Sequence, residues 1–402
     1  MTRPQALPRW LAQHRPTAGT FPYDEVVDAY QRHGKHHVPA EWITLLRATR
    51  ERLPQLGDAR QLPAFLNSVL DKADGRYDYR TYLALDLLPM PDPDDESATA
   101  GRMLARRDRL HALLLTDLIR FEMFAADTAA APLPHLRPGR DLVVKRLRHT
   151  VRAAMPALRR LRILDDPAAG DPVAAARHTV AAADLDLTAA DRLTLRATML
   201  PVSTVHDEWM FIRVLQTFEV TFALLAFDLN AVIAAITAGR MSAAGRRLSC
   251  AADLLAESGA LWPLAATLQP EAFHAFRPYT EGASAIQSRH YKLVESLCRM
   301  PDTERVDSPA YRSVPDVLAL IHDGQPTIDR TLADRNDIAG STGMKNGLAD
   351  FSAALQQWRR THYRLAVRML GPERTGTGHT LGTPYLAQCR TTPVFTYAFD
   401  RR

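Results

Sequence analysis

The chain has 402 residues, 46% apolar and 24% charged, values ordinary for a globular protein and ample for one large core or two smaller ones. Its 50 basic and 45 acidic residues are well mixed, so a net charge of +5 argues against a nucleic-acid partner and fits solvated, arginine-rich helix faces. Cys250, Cys298 and Cys389 are too far apart for a disulfide framework or a cysteine metal motif, and they suit a reducing compartment. The first residues lack the apolar stretch of a secretion signal, and the longest apolar run, near 214–229, contains Gln216, Glu219 and Asp228. The expectation is a cytoplasmic protein with no membrane partner.

Alanine, leucine and arginine recur at helical spacing and no run alternates as a strand does, so the fold class is all-α. Near the N-terminus His33, His36 and His37 cluster without a carboxylate or cysteine nearby, which favours a solvated loop or helix end over a metal site. Helices are predicted around 41–53 and 60–72, followed by the aromatic and leucine-rich stretch 77–88 and the proline break at 89–93. Further helices are predicted over 98–128 and 141–164, with a proline-rich connector at 131–139 and a loop at 165–172. Two short ones follow in 173–202.

A long helix is predicted from about 206 to 238, with Thr204 and Asp207 as a capping box and Gly239 as its stop. Residues 242–256 and 283–300 read as helices, the second beyond a turn at 278–282. The last long helix spans about 348–370 and ends at Gly371-Pro372. Residues 107–122 and 206–219 echo one another weakly, each ending in Phe-Glu.

In that last helix Phe351, Leu355, Trp358, His362, Leu365 and Met369 are spaced 4, 3, 4, 3 and 4, which places them on one face. Only His362 is polar. A core histidine bonded to a carbonyl and a haem-ligating histidine on a dry wall both satisfy this pattern, and periodicity does not separate them.

Four blocks in order bear on the choice. Tyr79, Tyr82, Leu83, Leu85 and Asp86 form Y-x-x-Y-L-x-L-D. His206–Ile212 reads H-D-E-W-M-F-I, continued by Gln216 and Glu219. Phe276-Arg277-Pro278-Tyr279 precedes Ala283-Ser284-Ala285-Ile286-Gln287-Ser288. Trp358-Arg359-x-x-His362 precedes Arg368, Gly371 and Gly376-Thr377-Gly378. Together they resemble the tryptophan 2,3-dioxygenase family, over roughly residues 77–89 and 203–390. Residues 1–76 are then an N-terminal helical extension. Residues 77–402 form a haem-binding, oxygenase-like helical bundle carrying an extra helical insertion at about 90–200.

The resemblance implies haem b as cofactor, with His362 as the axial iron ligand and Trp358 beside it. It implies that Arg277 binds a substrate carboxylate, for which a guanidinium fork is suited, and that Phe211 packs on an indole. Ser284 belongs to the same substrate side. Tyr79, Tyr82 and Leu83 correspond to residues contributed from a neighbouring subunit, which implies a homo-oligomer, dimer or tetramer. Thr377 sits at the contacting position of a lid loop.

Three departures stand out. Leu215 replaces the distal histidine of bacterial members, Phe273 replaces a tyrosine, and His379 replaces a lid glycine, where it can supply the polar group lost at Leu215. The implied function is a haem-dependent oxygenase acting with O₂ on L-tryptophan or a related aromatic amino acid or indole, by default opening the indole C2–C3 bond to an N-formylkynurenine-type product. The alternatives are a diverged mono-oxygenase or peroxygenase of specialised biosynthesis and a non-catalytic haem-binding protein.

Overall fold

Apolar residues recurring every three or four positions bury one stripe per helix, and helices follow almost throughout. The computed structural model describes residues 3–56, 61–95, 97–167, 170–335, 341–373 and 382–396. Among the described residues there is no β-strand. One isolated bridge pairs His135 with Val205. The all-α expectation is met.

The chain divides into two units that do not follow chain order. The first comprises Met1–Pro89, Ala112–Gln216 and Thr267–Ala283. The second comprises Met90–His111, Thr217–Ala266 and Ser284–Arg402.

In the first unit the N-terminal segment packs as a core of its own. Trp10, Phe21, Tyr23 and Phe65 meet edge to face at 4.8–5.9 Å, with Val26, Tyr30, Trp42, Leu66 and Leu200 buried around them. Lys35 is fully buried. Its ammonium donates to Asp71 Oδ2 (2.8 Å) and to the carbonyls of Ser68 (2.8 Å) and Thr81 (3.1 Å), so all three donors are used. Gly34 stands at φ +73°, where a Cβ would meet the Val202 carbonyl at 2.6 Å. That close approach ties the N-terminal segment to residues 201–203. Of the histidine cluster, His33 ends the helix Tyr23–His33, and His36 Nε2 bonds the Tyr279 carbonyl at 2.7 Å.

In the second unit the helices Met241–Ser258 and Thr342–Leu370 cross with backbones almost touching. A Cβ on Gly245 would lie 2.4 Å from the Gly343 carbonyl, and one on Gly347 would lie 2.4 Å from the Gly245 carbonyl. Only glycine fits there. Ser249 adds a hydrogen bond to Asp350 at 2.9 Å.

The helices Ala100–Asp127 and Asp207–Thr237 carry the two echoing segments and run antiparallel. In the first unit Asp117 accepts from Trp209 (3.1 Å) and Arg213 (2.7 Å), and Phe121 stacks on Trp209 at 4.2 Å. In the second, His111 Nε2 lies 3.1 Å from the Thr217 carbonyl and 3.0 Å from the Thr221 hydroxyl. Among the described residues, Asp207–Thr237 is the one helix long and apolar enough to cross a membrane. Of its apolar window 78% is buried inside the protein, as in a core helix.

Four boundary expectations need correction. Thr204 does not cap Asp207–Thr237: its hydroxyl bonds His135 Nδ1 (2.7 Å), while Asp207 accepts the backbone N–H of Gln269 (2.8 Å) and pairs with Arg146 (2.7 Å). Residues 278–280 are not a turn but the end of the helix Pro270–Thr280. The proline sits in the last turn, so few hydrogen bonds are lost to it. The helix expected over 283–300 spans Arg289–Cys298, because Ser288 caps it by accepting from Tyr291 N–H at 3.1 Å. The last long helix starts at Thr342 rather than 348, since its first turns pack through glycine and not through an apolar stripe.

Candidate functional site

The first group of candidate residues lies wholly in the second unit. Along the His362 helix, Phe351 and Leu355 are fully buried and Met369 nearly so. Trp358, His362 and Leu365 between them are only half-buried. The helix therefore presents an apolar window one to two turns long. Its walls are aromatic. The imidazole of His362 stacks on Trp262 (5.7 Å, 24°) and leans on Trp358 (5.1 Å, 59°). Trp358 in turn meets Phe218, Phe222 and Tyr291 at 5.1–5.6 Å.

His362 makes no hydrogen bond to any described residue. Burial pushes its pKa down to about 4, with no acidic group to oppose the shift. At neutral pH the ring is uncharged with a free lone pair, the state that binds a metal. The indole Nε1 of Trp358 is also buried without a partner among the described residues. Among the described residues no carbonyl takes up the imidazole, as the reading of an ordinary core histidine would require.

What fixes this helix is a buried ionic hub that sequence reasoning missed. Arg359, next to Trp358, donates to Tyr291 Oη (2.8 Å), to the Thr392 carbonyl (2.8 Å) and to Glu295 Oε1 (3.0 Å). Glu295 also pairs with Arg305 (2.7 Å) and Lys292 (3.5 Å) and accepts from Tyr311 Oη (2.9 Å). Burial pushes the Glu295 carboxyl upward, but Lys292, Arg305 and Arg359 outweigh it and hold it well below the usual carboxylate range. The arginine of W-R-x-x-H is thus the rotational anchor of the histidine. Trp262 was missed as well, because a lone tryptophan outside a motif gives no signal. Elsewhere in the unit His290 Nδ1 meets Glu219 at 3.0 Å, and Ser284 caps the short turn Ala285–Gln287 in a reciprocal bond with Gln287.

The second group lies wholly in the first unit. From Val205 to Leu229 every residue is buried except Phe211 and Leu215, one helical turn apart on one face. On Pro270–Thr280 the pair Phe273 and Arg277 has the same spacing and is likewise half-buried. Phe211 contacts Phe273 at 5.8 Å and Phe276 at 5.3 Å. The structure therefore brings Phe211 and Phe273 together, with Leu215 and Arg277 each one turn further along the same faces.

Tyr79, Tyr82 and Leu83 are buried within the same unit. Tyr82 Oη donates to Glu208 Oε1 at 3.3 Å, and the Leu83 carbonyl accepts from Gln216 at 2.8 Å. Glu208 further accepts the backbone N–H groups of Val202 (2.6 Å) and Ser203 (3.0 Å) and the Ser203 hydroxyl (2.6 Å). Burial wins over these bonds and pushes its pKa up to about 7. Thr377 and His379 fall outside the described residues.

Among the described residues, the window is an aromatic, half-buried wall on an all-α protein with one neutral imidazole that none of them hydrogen-bonds. Sequence comparison finds one family to which part of the chain is similar. The profile of the family described as Tryptophan 2,3-dioxygenase matches residues 185–333, which include Phe211, Leu215, Phe273, Arg277 and Ser284. The tryptophan 2,3-dioxygenase of Polaromonas naphthalenivorans is 27% identical over 226 residues, taking in 46% of this chain and 79% of that protein. That of Bordetella pertussis is 26% identical over 226 residues, 46% of this chain and 78% of the relative. That of Burkholderia mallei is 27% identical over 264 residues, 54% of this chain and 85% of the relative. Over these residues the chain is similar to the tryptophan 2,3-dioxygenase family.

Proposed function

We propose that the protein is a haem-dependent oxygenase acting on L-tryptophan or a closely related aromatic amino acid or indole. The observation that carries this reading is His362: a neutral imidazole, free of hydrogen bonds to the described residues, in an aromatic window at the W-R-x-x-H position. The residues fit haem b. An apolar wall suits the porphyrin, and His362 would hold its iron through an imidazole nitrogen, with Trp262 and Trp358 restraining rotation of the imidazole. When bound, the haem supplies the capture and activation of O₂.

The chain's own residues do the rest. Arg277 takes the substrate carboxylate through its guanidinium fork, and Phe211 packs against the aromatic ring. Leu215 offers no proton acceptor, so no side chain at that position removes the indole N–H proton. The family resemblance gives Thr377 a substrate contact and makes the His379 imidazole the candidate to replace the polar group that Leu215 lacks. Ser284 acts by capping the turn that follows Ala283. Tyr79, Tyr82 and Leu83 are support for the substrate side, and a homo-oligomer remains part of the proposal. The cysteines Cys250, Cys298 and Cys389 are unpaired, which agrees with a cytoplasmic location.

Opening of the indole C2–C3 bond is the default reaction. Leu215 and Phe273 favour a second reading, insertion of one oxygen by a specialised mono-oxygenase, because both remove polar groups from the substrate side. Product mass after ferrous protein is incubated with tryptophan and O₂ decides between them: a gain of two oxygens supports the first, a gain of one the second. A non-catalytic haem-binding role predicts a Soret band that substrate does not shift. In His362→Ala the Soret band of haem-supplemented protein should be lost or displaced and turnover should fall at least ~100-fold. An unchanged band sinks the assignment.

A further inference from the structure

The first unit contains an open cavity of about 470 Å³ that neither group of candidate residues lines. Apart from His206, all of its lining residues fall between 122 and 177, within the insertion at about 90–200 that the family resemblance leaves without a role. The cleft opens to solvent past the exposed Ala126, Asp127, Arg140 and Arg177, and its volume falls in the ~300–1,000 Å³ range of small-molecule sites.

The wall is two-sided in chemistry. Met123, Val143, Val144, Leu147 and Val173 give an apolar side. Arg140 and Arg177 give a cationic one, and neither has an acceptor among the described residues although both are surface side chains free to turn. The third arginine is already used: Arg137 donates to the carbonyls of Ala125, Thr128, Ala129 and Ala131 at 2.8–3.3 Å and so holds the rim together. Two carboxylates line the cavity. Glu122 is taken by Arg146 (3.0 Å) and His206 Nε2 (3.3 Å), and Asp127 pairs with neither Arg140 nor Arg177. His206 brings a further polar atom to the wall, since its Nδ1 is buried without a partner. A pocket with an apolar floor, two uncommitted guanidinium groups and its main carboxylate neutralised selects for an amphipathic anion.

We propose that this cavity is a second ligand site, separate from the oxygenase site, that binds a small carboxylic acid with an apolar body. The carboxylate lies between Arg140 and Arg177, and the apolar body lies against Val143, Val144 and Leu147. The proposal does not depend on the haem assignment, because every residue involved lies in the first unit and binding is read without turnover.

The test is calorimetric titration of the full-length protein with 2-naphthoate, and with neutral 2-naphthamide as the matched probe. The expected result is one saturable 2-naphthoate site, with 2-naphthamide at least tenfold weaker. Arg140→Glu/Arg177→Glu should weaken it at least tenfold. Val144→Trp, which fills the cavity from a half-buried position, should abolish it. Both variants should keep the wild-type circular dichroism, since the two arginines are exposed and Val144, half-buried, borders the open cavity. Arg277→Ala should leave this binding unchanged. Absence of binding overturns the proposal. So does equal affinity in the double arginine variant, or a signal that vanishes in Arg277→Ala and persists in Arg140→Glu/Arg177→Glu.

Discussion

The His362 face in the second unit and the Phe211–Arg277 face in the first are both half-buried windows on otherwise buried helices, yet they are held in different ways. The His362 helix is locked twice: by the glycine crossing at Gly245, Gly343 and Gly347, and by Arg359 in the Glu295 hub. The Phe211 helix is held through Asp207, Glu208 and Arg213, each with several partners, whereas Phe211 and Phe273 meet only through aromatic packing. The departures from the family, Leu215 and Phe273, fall in the second kind of setting. Where a side chain's position is over-determined by charge and backbone contact, substitution is costly. Where it only faces space, substitution changes chemistry at little cost in stability.

Three substitutions put numbers on that contrast. Glu295→Ala should have the largest effect. It leaves Lys292, Arg305 and Arg359 buried around no carboxylate, which costs ~3–5 kcal/mol in urea unfolding. A loss under ~1 kcal/mol would show that the hub does not lock the helix.

Glu208→Gln tests the first unit through pH. The folded carboxyl has its pKa raised from 4.5 to about 7, so the folded state holds a proton that the unfolded state releases between those values. The wild type therefore has this stability in full below pH 4.5 and loses it, by ~3 kcal/mol, as pH rises through about 7. The glutamine variant should lack that slope. Identical slopes in the two proteins would place the Glu208 proton elsewhere.

Gly347→Val should cost least, ~1–3 kcal/mol, because the crossing helices must part to admit the side chain. If the variant also weakens haem binding while Leu215→Ala does not, the two windows are held as differently as the structure indicates.

Much of the fold was legible from spacing alone. The helices Ala40–Arg52, Ala100–Asp127, Arg140–Arg160 and Met241–Ser258 lie within a few residues of their expected bounds, and Gly239 (φ +73°) and Gly371 (φ +92°) end helices as anticipated. The site was legible in part. Motif spacing picked out His362, Trp358, Phe211 and Arg277, and all four are half-buried in the structure. Thr204 was misread because a capping signature is local, whereas His135, 69 residues away, competes for the same hydroxyl. Trp262, Glu295 and Gly245 carried no signal, since each matters only through a partner distant in the chain.

The sequence by itself determined the all-α class, the helix registers and the one odd imidazole on an apolar stripe, because those follow from a period of 3.6 residues and the chemistry of single side chains. Tertiary structure alone decided that this imidazole is neutral and without a hydrogen bond among the described residues, that Arg359 joins its helix to the Glu295 hub, and that residues 122–177 line an open cavity. Desolvation, ion pairing and enclosed volume depend on which distant residues come to share one place.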